Sequence, residues 1–160
     1  MKAIVFAQTG GPEVLAQADV PKPEPRAGWV LIKNHAIGVN FADTRYRQGT
    51  YTVKPKLPDI PGMEAAGVIE AVGDGVTNLR PGMRVAAFTS RAYAEYCVSP
   101  AFMAVPLPDS VSFVDGAAFL IQALSTIAGT NIKNGTASPQ SVDSRPRTAA
   151  AENARPTAMR

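Results

Sequence analysis

Pro61-Gly62-Met63-Glu64-Ala65-Ala66-Gly67-Val68-Ile69-Glu70-Ala71-Val72-Gly73-Asp74-Gly75 is the stretch that decides the fold. Gly62–Gly73 is a long apolar segment carrying Val68, Ile69 and Val72, with Pro61 before it and Gly73-Asp74-Gly75 after it. This pattern reads as a strand closed by a hairpin turn, because Asn78 follows and no helix begins there. Downstream, Arg80-Pro81-Gly82 is a type II turn signal leading into a strand at Arg84–Phe88. Tyr93–Val98 and Met103–Val105 supply two more strands. Upstream, Trp29–Asn34 alternates, and Pro21, Pro23 and Pro25 hold the chain extended, since proline cannot donate to a ladder. Lys2–Ala7 is an apolar run closed by Thr9-Gly10-Gly11-Pro12, and Glu13–Val20 alternates weakly. Short strands with turn signals every 8–12 residues predict a mostly β, partly open barrel-like body.

Two helices interrupt it. Phe41–Gln48 ends at Gly49, a C-cap residue. Ser112 followed by Asp115 resembles a capping box, and Ala117, Leu120, Ile121, Leu124, Ile127 and Ala128 then recur at helical spacing. Thr130–Arg160 has three large apolar residues and no aromatic one, too little to offset its ordering entropy, and it reads as a disordered tail. The expected organisation is one domain, 1–129, and a low-complexity basic tail, 130–160.

Charge supports that division. The 160 residues carry a net charge of +3, yet 1–129 hold 11 basic and 11 acidic residues, so the whole excess lies in the tail. Five spread cations without aromatic interleaving make a weak case for nucleic acid, and no specific nucleic-acid partner is expected. One cysteine, Cys97, and one histidine, His35, exclude a disulfide framework and a four-ligand structural zinc site of cysteine and histidine. No apolar run approaches the roughly 18–20 residues that span a bilayer, and Met1–Ala7 lacks the pattern of a signal peptide. A cytoplasmic setting without membrane contact is expected.

Gly38-Val39-Asn40-Phe41-Ala42-Asp43-Thr44-Arg45-Tyr46-Arg47-Gln48-Gly49-Thr50-Tyr51, then Leu57–Ile69, Val72–Val76 and Pro81–Val85, follow one another in an order that identifies a family. Together they resemble the N-terminal, GroES-like half of the medium-chain dehydrogenases/reductases, most closely the zinc-independent quinone oxidoreductase (zeta-crystallin-like) branch. The resemblance runs from Met1 to about Gly129. Zinc-dependent relatives place Cys at the position of Asn40 and His at that of Met63. Neither residue present here replaces those ligands, so the resemblance implies no metal. It implies hydride transfer from NADPH to a quinone or an enone held in a cleft between two domains. By the same resemblance, Asn40, Asp43 and Tyr46 face the nicotinamide cleft, Tyr51 contacts NADPH, and Ser125 lies near the nicotinamide ribose. No catalytic residue is assigned.

Other roles are open to these residues. Asn40 and Asp43 suit the cap of a short helix, and the two roles are compatible. Tyr46 and Tyr51 suit packing with solvated hydroxyls. Glu64 reads as a structural carboxylate accepting hydrogen bonds, Cys97 as a small buried hydrophobe, and His35 as structural or surface.

No Gly-x-Gly-x-x-Gly or equivalent phosphate-binding turn occurs in the 160 residues. The sequence therefore reads as a truncated or frame-shifted product, or a natural variant, inactive alone and binding no cofactor tightly. The alternative is a non-catalytic GroES-like interaction fragment. Either way, the helix face Leu120, Ile121, Leu124 and Ile127 is expected to be exposed and to favour self-association.

Overall fold

The computed structural model describes residues 1–133. Strands β1 (Lys2–Val5) and β2 (Ala16–Asp19) form an antiparallel pair. β3 (Trp29–Gly38), β4 (Glu64–Val72), β5 (Arg84–Phe88), β6 (Tyr96–Pro100) and β7 (Ala104–Pro106) form an antiparallel sheet ordered β6-β3-β4-β5-β7. Helix α1 (Phe41–Arg47) joins β3 to β4, and α2 (Phe113–Lys133) closes the described chain. The body is mostly β, and its sheet curls into the expected partly open barrel.

The curl has an identifiable origin. Along β3 and β4 the register skips Glu70 on one strand, between Leu31 and Ile32, and His35 on the other, between Asn34 and Ala36. Each extra residue raises the local twist and bends its strand. Gly67 lets the bent strands meet, because a Cβ there would lie 2.0 Å from the Lys33 carbonyl oxygen. The concave face buries Val30, Ile32, Ile69, Val85, Ala87 and Cys97, with Leu79 beneath the β4–β5 connection. Burying a Val or an Ile here contributes about 1.5–3 kcal/mol. Small residues on the convex face, Ala66 and Ala86, admit α2 through Gly116 and Ala117, and Leu107, Phe113 and Leu120 seal the edges of that contact.

Several boundaries move from those the sequence suggests. β3 runs on to Gly38, since the bulge at His35 interrupts the alternation without ending the strand. The Glu13–Val20 segment divides into a 3-10 turn at Pro12–Val14 and the strand Ala16–Asp19. Tyr93 and Ala94 precede β6: Ala94 bridges to Ala3 of β1, and Tyr93 N–H donates to the Pro61 carbonyl. Asp74-Gly75 is a turn, as expected, yet β4 and β5 are joined across residues 73–83, with the 73–75 corner docked against the Arg26–Trp29 loop. The Arg80–Met83 turn closes as a type II turn, with Gly82 at φ +87°.

α2 begins as its capping signal suggests: Asp115 N–H donates to the Ser112 hydroxyl at 3.0 Å. It continues past Gly129 to Lys133, where the sequence contains no proline to stop it. The rest of the expected tail, 134–160, lies outside the described residues. So do the side chains of Leu124 and Ile127; of their expected apolar face, Leu120 and Ile121 are half-buried. Among the described residues no helix is long and apolar enough to cross a membrane.

Candidate functional site

The β3–α1 junction gathers a network of buried polar groups. Asn40 caps α1, and its backbone N–H donates to Asp43 Oδ2 at 2.9 Å, completing a capping box. The Asn40 amide donates to Glu64 Oε2 at 3.3 Å and accepts from Gln122 Nε2 at 3.5 Å. Glu64, 1% exposed, accepts the Ile121 N–H of α2 on its other oxygen at 2.8 Å. An N–H in the body of a helix is thereby turned to a side-chain carboxylate, joining α2 to β4 and α1. Glu64 has the structural role expected of it.

Asp43 is equally buried. Its Oδ2 also accepts from the Tyr93 hydroxyl at 3.3 Å, while Oδ1 has no partner. Burial pushes the Asp43 carboxyl above the ordinary range, and the nearby Glu64 charge adds to the rise. Donation from the Asn40 backbone and from Tyr93 pulls the other way. Burial, with Asp43 beside it, likewise raises the Tyr93 phenol.

Beside this network opens a cleft of 520 Å³. Tyr46, Tyr51, Val53, Ile60, Met63 and Phe88 give it an aromatic and apolar interior. Tyr46 is fixed by an edge-on contact with Phe6, ring centroids 5.9 Å apart, and its hydroxyl donates to Asp59 Oδ2. Asp59 is itself held by paired backbone hydrogen bonds to Phe6 and by the Ile60 N–H. Burial and then the Asp59 carboxylate push the Tyr46 phenol up to about 12. At neutral pH it is a neutral hydroxyl whose proton faces a carboxylate. Tyr51 stands after the α1 terminus, where Gly49 takes φ +70° and Tyr51 N–H returns to the Arg45 carbonyl at 3.1 Å.

The far wall is Thr89-Ser90-Arg91. Thr89 is committed, its hydroxyl donating to the Val98 carbonyl at 2.7 Å. Arg91 has φ +63°, a left-handed conformation that costs a residue with a Cβ about 1–2 kcal/mol. Its side chain reaches Asp59, with Nε 3.7 Å from Oδ1. Lys54 and Lys56 complete the lining, and Lys54 Nζ donates to the Gly49 carbonyl at 2.8 Å.

The five residues singled out in the sequence therefore occupy three places. Asn40 and Asp43 lie in the buried network, Tyr46 and Tyr51 share the cleft, and Ser125 lies in a separate apolar groove with Phe102, Met103, Leu120 and Ile121. Phe88 lines both the cleft and that groove. Asp59, Arg91, Tyr93 and Gln122 were not anticipated. The proline-flanked carboxylate in Pro58-Asp59-Ile60-Pro61 was the one local hint, whereas the others reach the site only through long-range packing.

Residues 26–109 match the alcohol dehydrogenase GroES-like domain family. The quinone oxidoreductase of Rattus norvegicus is 49% identical over 121 residues, covering 74% of this chain and 37% of that protein. That of Pseudomonas aeruginosa is 45% identical over 127 residues, covering 78% and 39%. The structure of Escherichia coli quinone oxidoreductase complexed with NADPH superposes with a TM-score of 0.77 at 34% identity, over 84% of this chain and 41% of that one. The chain thus spans well under half the length of the relatives it matches. With more than half of its residues inside the matched region, in the partly open barrel that the sequence leads one to expect, the chain belongs to the alcohol dehydrogenase GroES-like domain family.

Proposed function

We propose that residues 1–129 form the substrate-side domain of an NADPH-dependent, zinc-independent quinone or enone oxidoreductase, followed by a basic tail at 130–160, and that this chain alone is inactive. The carrying observation is the 520 Å³ cleft, whose tyrosines, Met63 and Phe88 suit a flat conjugated ring. Met63 at the cleft and Asn40, its amide engaged by Glu64 and Gln122, offer neither a thiolate nor an imidazole for a catalytic zinc.

For NADPH the fit is partial. Tyr46 and Tyr51 can face a nicotinamide ring, and Ser125, across Phe88, remains the candidate for the ribose side. The 160 residues contain no glycine-rich strand-to-helix turn for the pyrophosphate, so tight binding is not expected. When bound, NADPH supplies the hydride. This chain's own residues enclose the ring, exclude water with Val53, Ile60 and Phe88, and hold the Tyr46 proton towards Asp59. The free, buried Cys97 suits a reducing cytoplasm.

A titration of the ¹⁵N-labelled chain with duroquinone tests the reading, with NADPH oxidation followed in parallel. Amide shifts confined to 46–63 and 88–91, with no turnover, are expected. Turnover above background overturns the inactivity. Absence of shifts in those segments favours the non-catalytic interaction fragment.

A further inference from the structure

The charge at the mouth of the cleft is lopsided. Lys54, Lys56 and Arg91 line it against a single carboxylate, Asp59. The body as a whole is balanced, with 11 basic and 11 acidic residues in 1–129, so three cations to one anion is a local concentration. Asp59 is also the wrong group to neutralise the lysines. Its side chain is 11% exposed, it already accepts from Tyr46 and from the Ile60 N–H, and it is paired at 3.7 Å with Arg91. Lys54 is anchored through one of its three donors to the Gly49 carbonyl, two residues before Tyr51, which leaves two N–H groups for a ligand. Arg91 supplies a second sign of constraint: a left-handed position that glycine would occupy freely carries a charged side chain, turned to the cleft.

We propose that the cleft selects quinones or enones bearing an acidic substituent, the ring lying among Tyr46, Tyr51, Met63 and Phe88 and the anion at Lys54 and Lys56. This rests on the quinone or enone reading above and deepens it. The interior provides apolar and aromatic contact for the ring, and the rim keeps the anion hydrated beside two cations. Neither lysine is buried, so each adds a small, salt-sensitive increment, and the expected preference is about 3–10-fold.

Anthraquinone-2-sulfonate and its neutral counterpart 2-(hydroxymethyl)anthraquinone are the probes, titrated into the full chain and read by amide shifts. At about 0.01 M salt the sulfonate binds more tightly by that factor, and the gap closes near 1 M, where the Debye length falls to about 3 Å. The Lys54→Gln, Lys56→Gln double variant brings the sulfonate down to the affinity of the neutral probe. Equal affinities at low salt, or a preference that survives in the double variant, overturn the proposal. Failure of both probes to bind overturns the quinone reading instead. Nicotinamide mononucleotide is the third arm. Lysine-dependent binding of the mononucleotide without any sulfonate preference assigns the rim to a nucleotide phosphate and overturns the substrate assignment.

Discussion

Replacing Glu64 by alanine removes the one acceptor shared by β4, α1 and α2. Two donors lose their partner: the Ile121 N–H at 2.8 Å and the Asn40 amide at 3.3 Å. A buried donor left unsatisfied costs about 1–3 kcal/mol. The Ile121 group bears this in full, since it sits in a helix pressed against the sheet. Asn40 bears less, because the Gln122 side chain is already at 3.5 Å and can turn to it. Removing a carboxylate 1% exposed, with Asp43 close by, gives part of the loss back. The net expectation for Glu64→Ala is a loss of about 2–4 kcal/mol. Glu64→Gln keeps an oxygen for Ile121 and should stay within about 1 kcal/mol of the parent. Urea unfolding gives the totals, and hydrogen exchange at the Ile121 amide locates them. Faster exchange at Ile121 in the alanine variant, with protection kept in the glutamine variant, is the expected pair of results. An alanine variant as stable as the parent, with Ile121 still protected, would refute the reasoning: the N–H would then be served within the helix.

Three further expectations are independent of it. Asp43 titrates above an unfolded aspartate, so the folded state holds its proton longer, and stability falls as pH rises through the folded pKa. Asp43→Asn should abolish that fall, visible as a flatter curve of urea midpoint against pH from about pH 3.5 upward. Gly67→Ala places a Cβ 2.0 Å from the Lys33 carbonyl and should cost about 3 kcal/mol or prevent folding, seen by circular dichroism. Cys97 is buried, and burial pushes its thiol up to about 11. Iodoacetamide at pH 8 should therefore leave it unmodified in the folded chain and alkylate it in urea, which mass spectrometry distinguishes.

What local sequence could convey was the set of strands, turns and caps. The Gly62–Gly73 run, the Arg80–Met83 turn and the Asn40/Asp43 box are determined by neighbours within a few residues, and each is found close to where the pattern puts it. Bulges are different, because a skipped residue is defined by the partner strand. Nothing near His35 announces that Asn34 faces Gly67 and Ala36 faces Ala66. The site divides along the same line. Tyr46 and Tyr51 are five residues apart across the end of α1 and share the cleft as adjacency suggests. Ser125 was joined to them by resemblance alone, and here it faces another groove. Arg91 reaches the cleft through a left-handed backbone that an arginine codon does not advertise, held by Ala92 N–H to the Gly62 carbonyl.

The strand order leaves β6 and β7 on the outside of a sheet that does not close on itself. Unpaired strand borders invite a neighbouring chain to add a strand, the first step towards fibrous aggregates. Both borders are blunted by their own sequence. β7 is three residues long and ends at Pro106, which has no N–H to offer, and β6 is five residues long and ends at Pro100. A barrel can thus stay partly open without becoming a template for its own copies.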